Sequence, residues 1–337
     1  MSPSVGAAGS APSSCATGTV SGAGSTFQQN METQWAKDFG GECAGAQINY
    51  QGVGSGAGIQ QLGAGTIDFA GSDVTMKDAE RAAANAACGS TAITLPVTAG
   101  GIAIIYNLKG LGAPVNLNAI TLAGIFQGKI KKWNDPAIAA DNSGVRMPAT
   151  PITVFYRSDA SGTTQVFTGF EKALGGSAWT LGSGKTVPWP TGQGAKGSDG
   201  VTAGVAQTDG GITYAEVSFA KSNNLPTASV KGAGSGFAAI SAGSVSTAIA
   251  AGFTVTGTGN DLAGSLDFTK MTDGYPISTV SYAIVCSKYK DAAKGKLVKA
   301  FLAYAITDGQ AVANGLGFAP VPSELVTKVR LSLAAVS

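Results

Sequence analysis

No histidine occurs among the 337 residues. That removes imidazole acid–base catalysis, the Ser-His-Asp arrangement and every zinc site built on imidazole, and with them most familiar hydrolase mechanisms. Charge is scarce too: 12% of residues are Asp, Glu, Lys or Arg, with a net of +2 at neutral pH. So even a balance offers no field for nucleic acid, whose recognition shows as a basic stripe interleaved with aromatics. Long apolar runs are missing as well. None approaches the roughly 20 residues of a membrane span, and Gly101-Ile102-Ala103-Ile104-Ile105-Tyr106 reads as a buried strand at most.

Cysteine is limited to Cys15, Cys43, Cys88 and Cys286, with no C-x-x-C pair to hold a metal or redox centre. An even number, widely spread, reads as two structural disulfides in an oxidising compartment; four buried thiols in a cytosolic protein is the other reading. The working pairing is Cys15 with Cys43 and Cys88 with Cys286. Residues 1–14, MSPSVGAAGSAPSS, form a Gly/Ala/Ser/Pro tract that reads as a flexible spacer following an export signal. Cys15 directly follows it, which leaves two roles open: disulfide partner, the role preferred because it pairs all four cysteines, or lipid-bearing N-terminal cysteine.

What is abundant is apolar residues, 44%, and glycine, 49 of them in short clusters between apolar runs. This is a globular composition with many tight turns and ligand-cradling loops. The length fits two lobes, each with a core of its own. Thr17 to Ser21, Ala46 to Gln51 and Ile67 to Ala70 read as strands, and Thr26 to Phe39 and Ile59 to Leu62 as helices. Strand, glycine loop and helix in repetition predict an α/β fold with a mostly parallel sheet and its loops at one edge. Ala92 to Val97 and Gly101 to Tyr106 read as adjacent strands split at Thr98-Ala99-Gly100, a crossing point between lobes. The second lobe carries a helix near Leu117 to Phe126, a strand at Ile152 to Tyr156 and a helix from Gly162 to Leu174. Residues 182–211 read as loop with a short helix. Thr279 to Val285 is a β-branched run leading back, and helices near Ala292 to Ile306 and Glu324 to Leu333 close the chain. The expected organisation is a spacer over 1–14, lobe one over 15–98 with 280–337, and lobe two over 99–279.

Three polar loops place hydroxyls and amides between a strand and a helix. The first amides of a helix lack internal partners and its dipole adds roughly half a positive charge, so such loops attract anions. The first is Gly24-Ser25-Thr26-Phe27, which alone is no more than an N-cap. The second is Gly52-Val53-Gly54-Ser55-Gly56-Ala57-Gly58, leading to Gly71-Ser72-Asp73; by itself it is a turn or a degenerate dinucleotide loop. The third, Arg157-Ser158-Asp159-Ala160-Ser161-Gly162-Thr163, gathers a planar cation, a carboxylate and hydroxyls before a helix. Asp159 is close enough in sequence to hold the guanidinium in place, although an exposed ion pair beside a capped helix would look the same.

Seven segments, GSTF, YQGVGSGAGIQQL, IDFAGSDV, IFQGKIKKWNDPAI, YRSDASGTTQVF, GITYAE and DGYPI, resemble in kind and in order the substrate-binding proteins of bacterial ABC-type phosphate importers. The resemblance runs from about residue 17 to the C-terminus, and the cysteine pattern is similar to that of actinobacterial members. It implies a two-lobed periplasmic-binding-protein fold of type II joined by a hinge, a non-enzymatic monomer outside the cytoplasm, inorganic phosphate as ligand, no cofactor or metal, and a membrane permease as partner. It also implies the ligand set: Thr26, the Phe27 amide, Ser55 and Asp73 from lobe one, and Arg157, Ser161, Gly162 and Thr163 from lobe two, with Asp159 orienting Arg157. One position departs from the family, Gln28 standing where proline is usual, which bears on where the helix starts.

A carboxylate in an anion site makes sense if the ligand brings a proton. Phosphate near neutral pH carries at least one hydroxyl and can donate to Asp73; sulfate has none, and a buried charged acceptor left unpaired is penalised by more than about 1–3 kcal/mol. Other readings are a binding protein for a different oxyanion such as sulfate, a sensor or surface protein on the same fold, and a phosphohydrolase. The last is prompted by Gly182-Ser183-Gly184-Lys185-Thr186, which mimics the end of a P-loop. Trp179 occupies its leading glycine position and Val187-Pro188-Trp189-Pro190 follows in place of a helix, so a surface turn is expected there. Asp135 beside Trp133 reads as a helix-entry turn, not half of a metal pair.

Overall fold

A computed structural model describes residues 15–337, so the spacer assigned to 1–14 lies outside the described residues. The chain opens in strand–helix alternation: β1 (Gly18–Gly24), α1 (Gln29–Glu42), β2 (Ala46–Gly52), α2 (Ser55–Gly63), β3 (Phe69–Ser72) and α3 (Asp78–Cys88). Then come β4 (Ala92–Tyr106), β5 (Asn116–Asn118), α4 (Ala119–Phe126), α5 (Pro136–Asp141), β6 (Thr153–Arg157) and α6 (Gly162–Leu174). Next are β7 (Gln193–Ala195), α7 (Gly197–Gln207), β8 (Gly211–Glu216), α8 (Val217–Ser222), β9 (Ser229–Lys231), α9 (Ala242–Gly252), β10 (Phe253–Val255) and β11 (Gly264–Leu266). β12 (Ser278–Cys286), α10 (Ala292–Ala305), α11 (Ala313–Leu316) and α12 (Ser323–Ala334) complete the chain.

The long helices form for the ordinary amphipathic reason. In α1, Met31, Trp35 and Phe39 recur every fourth residue and are fully buried, giving the stripe that packs on the sheet. α3 stops where Gly89 takes the left-handed conformation, φ 66°, that ends helices at glycine. Asp135 caps α5 through the Ala137 amide at 2.9 Å, the helix-entry role expected of it.

Eight strands make one ladder in the order β2-β1-β3-β12-β4-β8-β6-β7. β2, β1 and β3 are mutually parallel, as are β8, β6 and β7; β12 runs against both β3 and β4, and β4 runs against β8. Each half is therefore mostly parallel with one reversed partner, and helices cover the faces. The halves share β4: Ala92 to Gly101 pair with β12, and Ile102 to Tyr106 pair with β8.

This corrects the expectation of two strands split at Thr98-Ala99-Gly100. β4 is a single strand of 15 buried residues. Its glycines serve close packing, not a turn: a Cβ on Gly100 would stand 2.7 Å from Phe27 Cζ, and one on Gly101 2.6 Å from Ile240 Cδ1. The irregularity falls slightly earlier, where the register against β12 slips between Ser281 and Tyr282, opposite Pro96 and its missing N–H. Residues 182–211 likewise hold more than a short helix, since β7 and the 11-residue α7 lie there. The segment before β11 turns back onto the first half: the Thr94 amide donates to Asp261 at 2.8 Å, and Arg81 pairs with Asp261 at 3.0 Å.

Cys15 is bonded to Cys43 and Cys88 to Cys286, as paired from the sequence. The second bond joins the end of α3 to the end of β12, residues 198 apart in the chain. Among the described residues no helix is long and apolar enough to cross a membrane.

Candidate functional site

The parallel strands set the position of the site. Loops leaving the carboxyl ends of β1, β2 and β3 face loops leaving β6 and β7 across the seam between the halves, and each of these loops leads into a helix. Several of the residues expected from the resemblance meet across this seam. Thr163, in the first turn of α6, donates its hydroxyl to Asp73 Oδ2 at 3.1 Å. A Cβ on Gly162 would stand 2.4 Å from Ser55 Oγ, at the first residue of α2. Thr26 Oγ1 lies 2.9 Å from Ser198 Oγ, at the start of α7, and Arg157 Nη1 donates to the same Ser198 oxygen at 3.4 Å.

Arg157 is buried at the end of β6 and is held by Asp159. Nε donates to Asp159 Oδ1 at 2.7 Å and Nη2 to Oδ2, a two-point clamp on one edge of the guanidinium. Asp159 Oδ1 also accepts the Gly197 amide at 3.0 Å, which ties the arginine to the start of α7. Burial alone would raise the Asp159 carboxyl, but the hydrogen bonds and charge of Arg157 outweigh it and leave it below its ordinary value.

Asp73 is buried with 2% exposure and ringed by hydroxyls. Oδ1 accepts from Ser25 at 2.6 Å and from Ser281 at 2.7 Å, and Oδ2 accepts from Thr163. Its amide donates to Ser55 Oγ at 3.3 Å. Burial pushes this carboxyl up; the three hydroxyls and the Arg157 charge pull the other way without cancelling it. Ser161 caps α6 by accepting the Thr164 amide at 3.1 Å, which leaves its hydroxyl hydrogen for a ligand. The Phe27 amide meets Ser25 Oγ at 3.0 Å, so a ligand must share or displace that contact.

Gln28, which stands in place of the expected proline, is fully buried and immediately precedes α1, which starts at Gln29. Its side chain donates to Tyr50 Oη at 3.3 Å, and its Oε1 lies 2.9 Å from Ser281 Oγ, competing with Asp73 for that hydroxyl's one hydrogen. Three serines outside the expected ligand set contact its members: Ser25, which the sequence placed in the first loop, and Ser198 and Ser281, which it missed. Ser198 carried a usable signal, since it follows a glycine and opens a helix after a strand, as the other loops do. Ser281 carried none, because a serine within a β-branched strand is ordinary; only the pairing of β12 beside β3 brings it to Asp73.

Two α/β halves sharing one strand and meeting over buried donors define the two-lobed solute-binding class. Consistent with that class, residues 9–309 match the PBP superfamily domain. The chain belongs to the PstS phosphate-binding proteins. It is 45% identical over 324 residues to phosphate-binding protein PstS 3 of Mycobacterium leprae, covering 94% of this chain and 86% of that relative. It is 36% identical over 318 residues to phosphate-binding protein PstS of Pasteurella multocida, covering 93% and 89%. The phosphate-binding protein from Stenotrophomonas maltophilia shares the fold, with a TM-score of 0.73 at 20% identity and 93% of each chain covered. The chain is thus a binding protein and not an enzyme.

Proposed function

We propose that the chain captures inorganic phosphate between its halves, outside the cytoplasm, and delivers it as a monomer to the membrane permease of an ABC importer. The ligand set is Thr26, the Phe27 amide, Ser55 and Asp73 from one lobe, and Arg157, Ser161, Gly162 and Thr163 from the other. Asp159 orients Arg157, and no cofactor takes part. The lobes are residues 15–98 with 280–337, and 99–279, articulated about β4 and the start of β12. Two disulfides fit an oxidising compartment, and the bond between Cys15 and Cys43 supports the disulfide role of Cys15 over the lipid-bearing one.

The observation that carries this reading is Asp73, a buried carboxylate inside a cluster of hydroxyls and a guanidinium drawn from both halves. A ligand that is an anion and also brings a hydrogen satisfies both the donors and the acid; orthophosphate does, and sulfate does not. Neither half alone supplies enough donors to replace the hydration of the ion, so binding and closure go together. Calorimetry with phosphate and sulfate side by side tests the reading. Phosphate binding at micromolar concentration or tighter with little heat from sulfate supports it, and indifference to phosphate sinks it.

A further inference from the structure

The halves also touch outside the ligand shell, and one such contact joins the lysine of the P-loop look-alike to a helix of the other half. Lys185 Nζ pairs with Glu80 Oε1, residues 105 apart in sequence. Their side chains are 10% and 27% exposed. Lys185 belongs to the second half: its carbonyl accepts the Ser161 amide at 2.9 Å, and the Gly184 amide beside it donates to Thr168 Oγ1 of α6 at 3.2 Å. Glu80 belongs to the first, where its other oxygen accepts the Lys77 amide at 2.9 Å at the start of α3.

The Glu80 side chain is thus held before the pair forms and the Lys185 backbone is fixed by its loop, which lowers part of the ordering penalty that makes exposed ion pairs weak. Both side chains line a groove of about 660 Å³, together with Ile59, Gln60, Ala83 and Ala160, so the pair sits at the mouth of the seam between the halves. Next to it the Gly56 amide donates to the Ala160 carbonyl at 2.9 Å, a backbone contact between the same two halves.

We infer that Lys185 and Glu80 form a latch: positioning residues that never touch the ligand but hold the halves closed and slow its release. The inference rests on the phosphate clamp proposed above. A pair made only in the closed state shares its differential free energy with any ligand that selects that state, so it raises affinity by the factor by which it favours closure. Because the lysine also supports the Ser161 loop through its carbonyl, a side-chain change separates the latch from the loop.

The test compares the full chain with Lys185→Met, Glu80→Gln and the double variant, using calorimetry and stopped-flow release of orthophosphate. Lys185→Met keeps the carbonyl that holds Ser161, and Glu80→Gln keeps an oxygen for the Lys77 amide. Each single variant is expected to bind roughly threefold to thirtyfold more weakly, almost entirely through faster release, with the double variant no worse than either single. Release rates equal to that of the parent, or losses that add in the double variant, overturn the latch while leaving the phosphate reading intact. A parent chain indifferent to phosphate overturns both. Should Lys185→Met lose its fold, Glu80→Gln carries the same comparison alone.

Discussion

Thr163, in the first turn of a helix of one half, donates its hydroxyl at 3.1 Å to Asp73, at the end of a strand of the other. A carboxylate has about four acceptor positions, and hydroxyls from β1–α1, β12 and α6 already fix this one in orientation. Any further donor to Asp73 must therefore arrive from the seam. That geometry selects for ligand protonation as well as ligand charge.

Asp73→Asn keeps size and shape but replaces one acceptor oxygen with an NH2 donor. The fold is expected to survive, phosphate affinity to fall, and the phosphate-to-sulfate affinity ratio to shrink by roughly tenfold to a thousandfold. Titrating both anions into parent and variant decides the matter; an unchanged ratio removes Asp73 from the selectivity role.

Gly162 sits where the halves come close together at the site. A methyl there would stand 2.4 Å from Ser55 Oγ and 2.9 Å from Asp73 Cβ, distances that force the halves apart. Gly162→Ala is otherwise benign at the first residue of a helix. Overpacking of this kind corresponds to about 1–3 kcal/mol, so phosphate affinity is expected to drop roughly tenfold to a hundredfold with little change in unfolding midpoint. Small-angle scattering should show less compaction on adding phosphate; full compaction and parental affinity would contradict the assigned closure.

The sequence made the site more legible than the hinge. Hydroxyl, glycine and helix start recur in one local pattern, which marked three loops as places for an anion, while Thr26, Ser55, Ser161 and Thr163 as individual ligands came from the family resemblance. Ser281 could be placed by neither, because its role depends on β12 returning from the far end of the chain to lie between β3 and β4. Thr98-Ala99-Gly100 misled for a related reason. A small, glycine-ended stretch signals a break when read locally, yet here Gly100 admits Phe27 against an unbroken strand.

The Cys88–Cys286 bond closes a separation of 198 residues between α3 and β12, so its removal acts mainly on the unfolded chain. Replacing both cysteines by serine is expected to lower unfolding free energy by about 2–5 kcal/mol. The bond lies at the far ends of these elements from the binding loops, so phosphate affinity should stay within about threefold of the parent. Urea titration and calorimetry on one preparation give both quantities. A variant as stable as the parent would deny the bond a structural role.

Glu32 lies fully buried in α1, and neither carboxyl oxygen has a hydrogen-bond partner among the described residues. Burial pushes its pKa up to about 8. The folded chain therefore keeps a proton that the unfolded chain releases at the ordinary glutamate value of 4.5. Between those two values the unfolded state binds fewer protons, so the contribution of Glu32 is greatest below the lower value and drains away as pH rises to the upper one. The slope for one such group is at most about 1.4 kcal/mol per pH unit. Glu216, raised to about 8 by burial against its bonds to Ser218, adds a slope of the same sign. Asp159, held low by Arg157, adds one of opposite sign confined to acid pH. Glu32→Gln should thus flatten the stability profile between about pH 5 and about pH 8 and gain most over the parent at the alkaline end. Urea unfolding at several pH values measures this, and parallel profiles for parent and variant would mean that Glu32 finds a partner or water that compensates its burial.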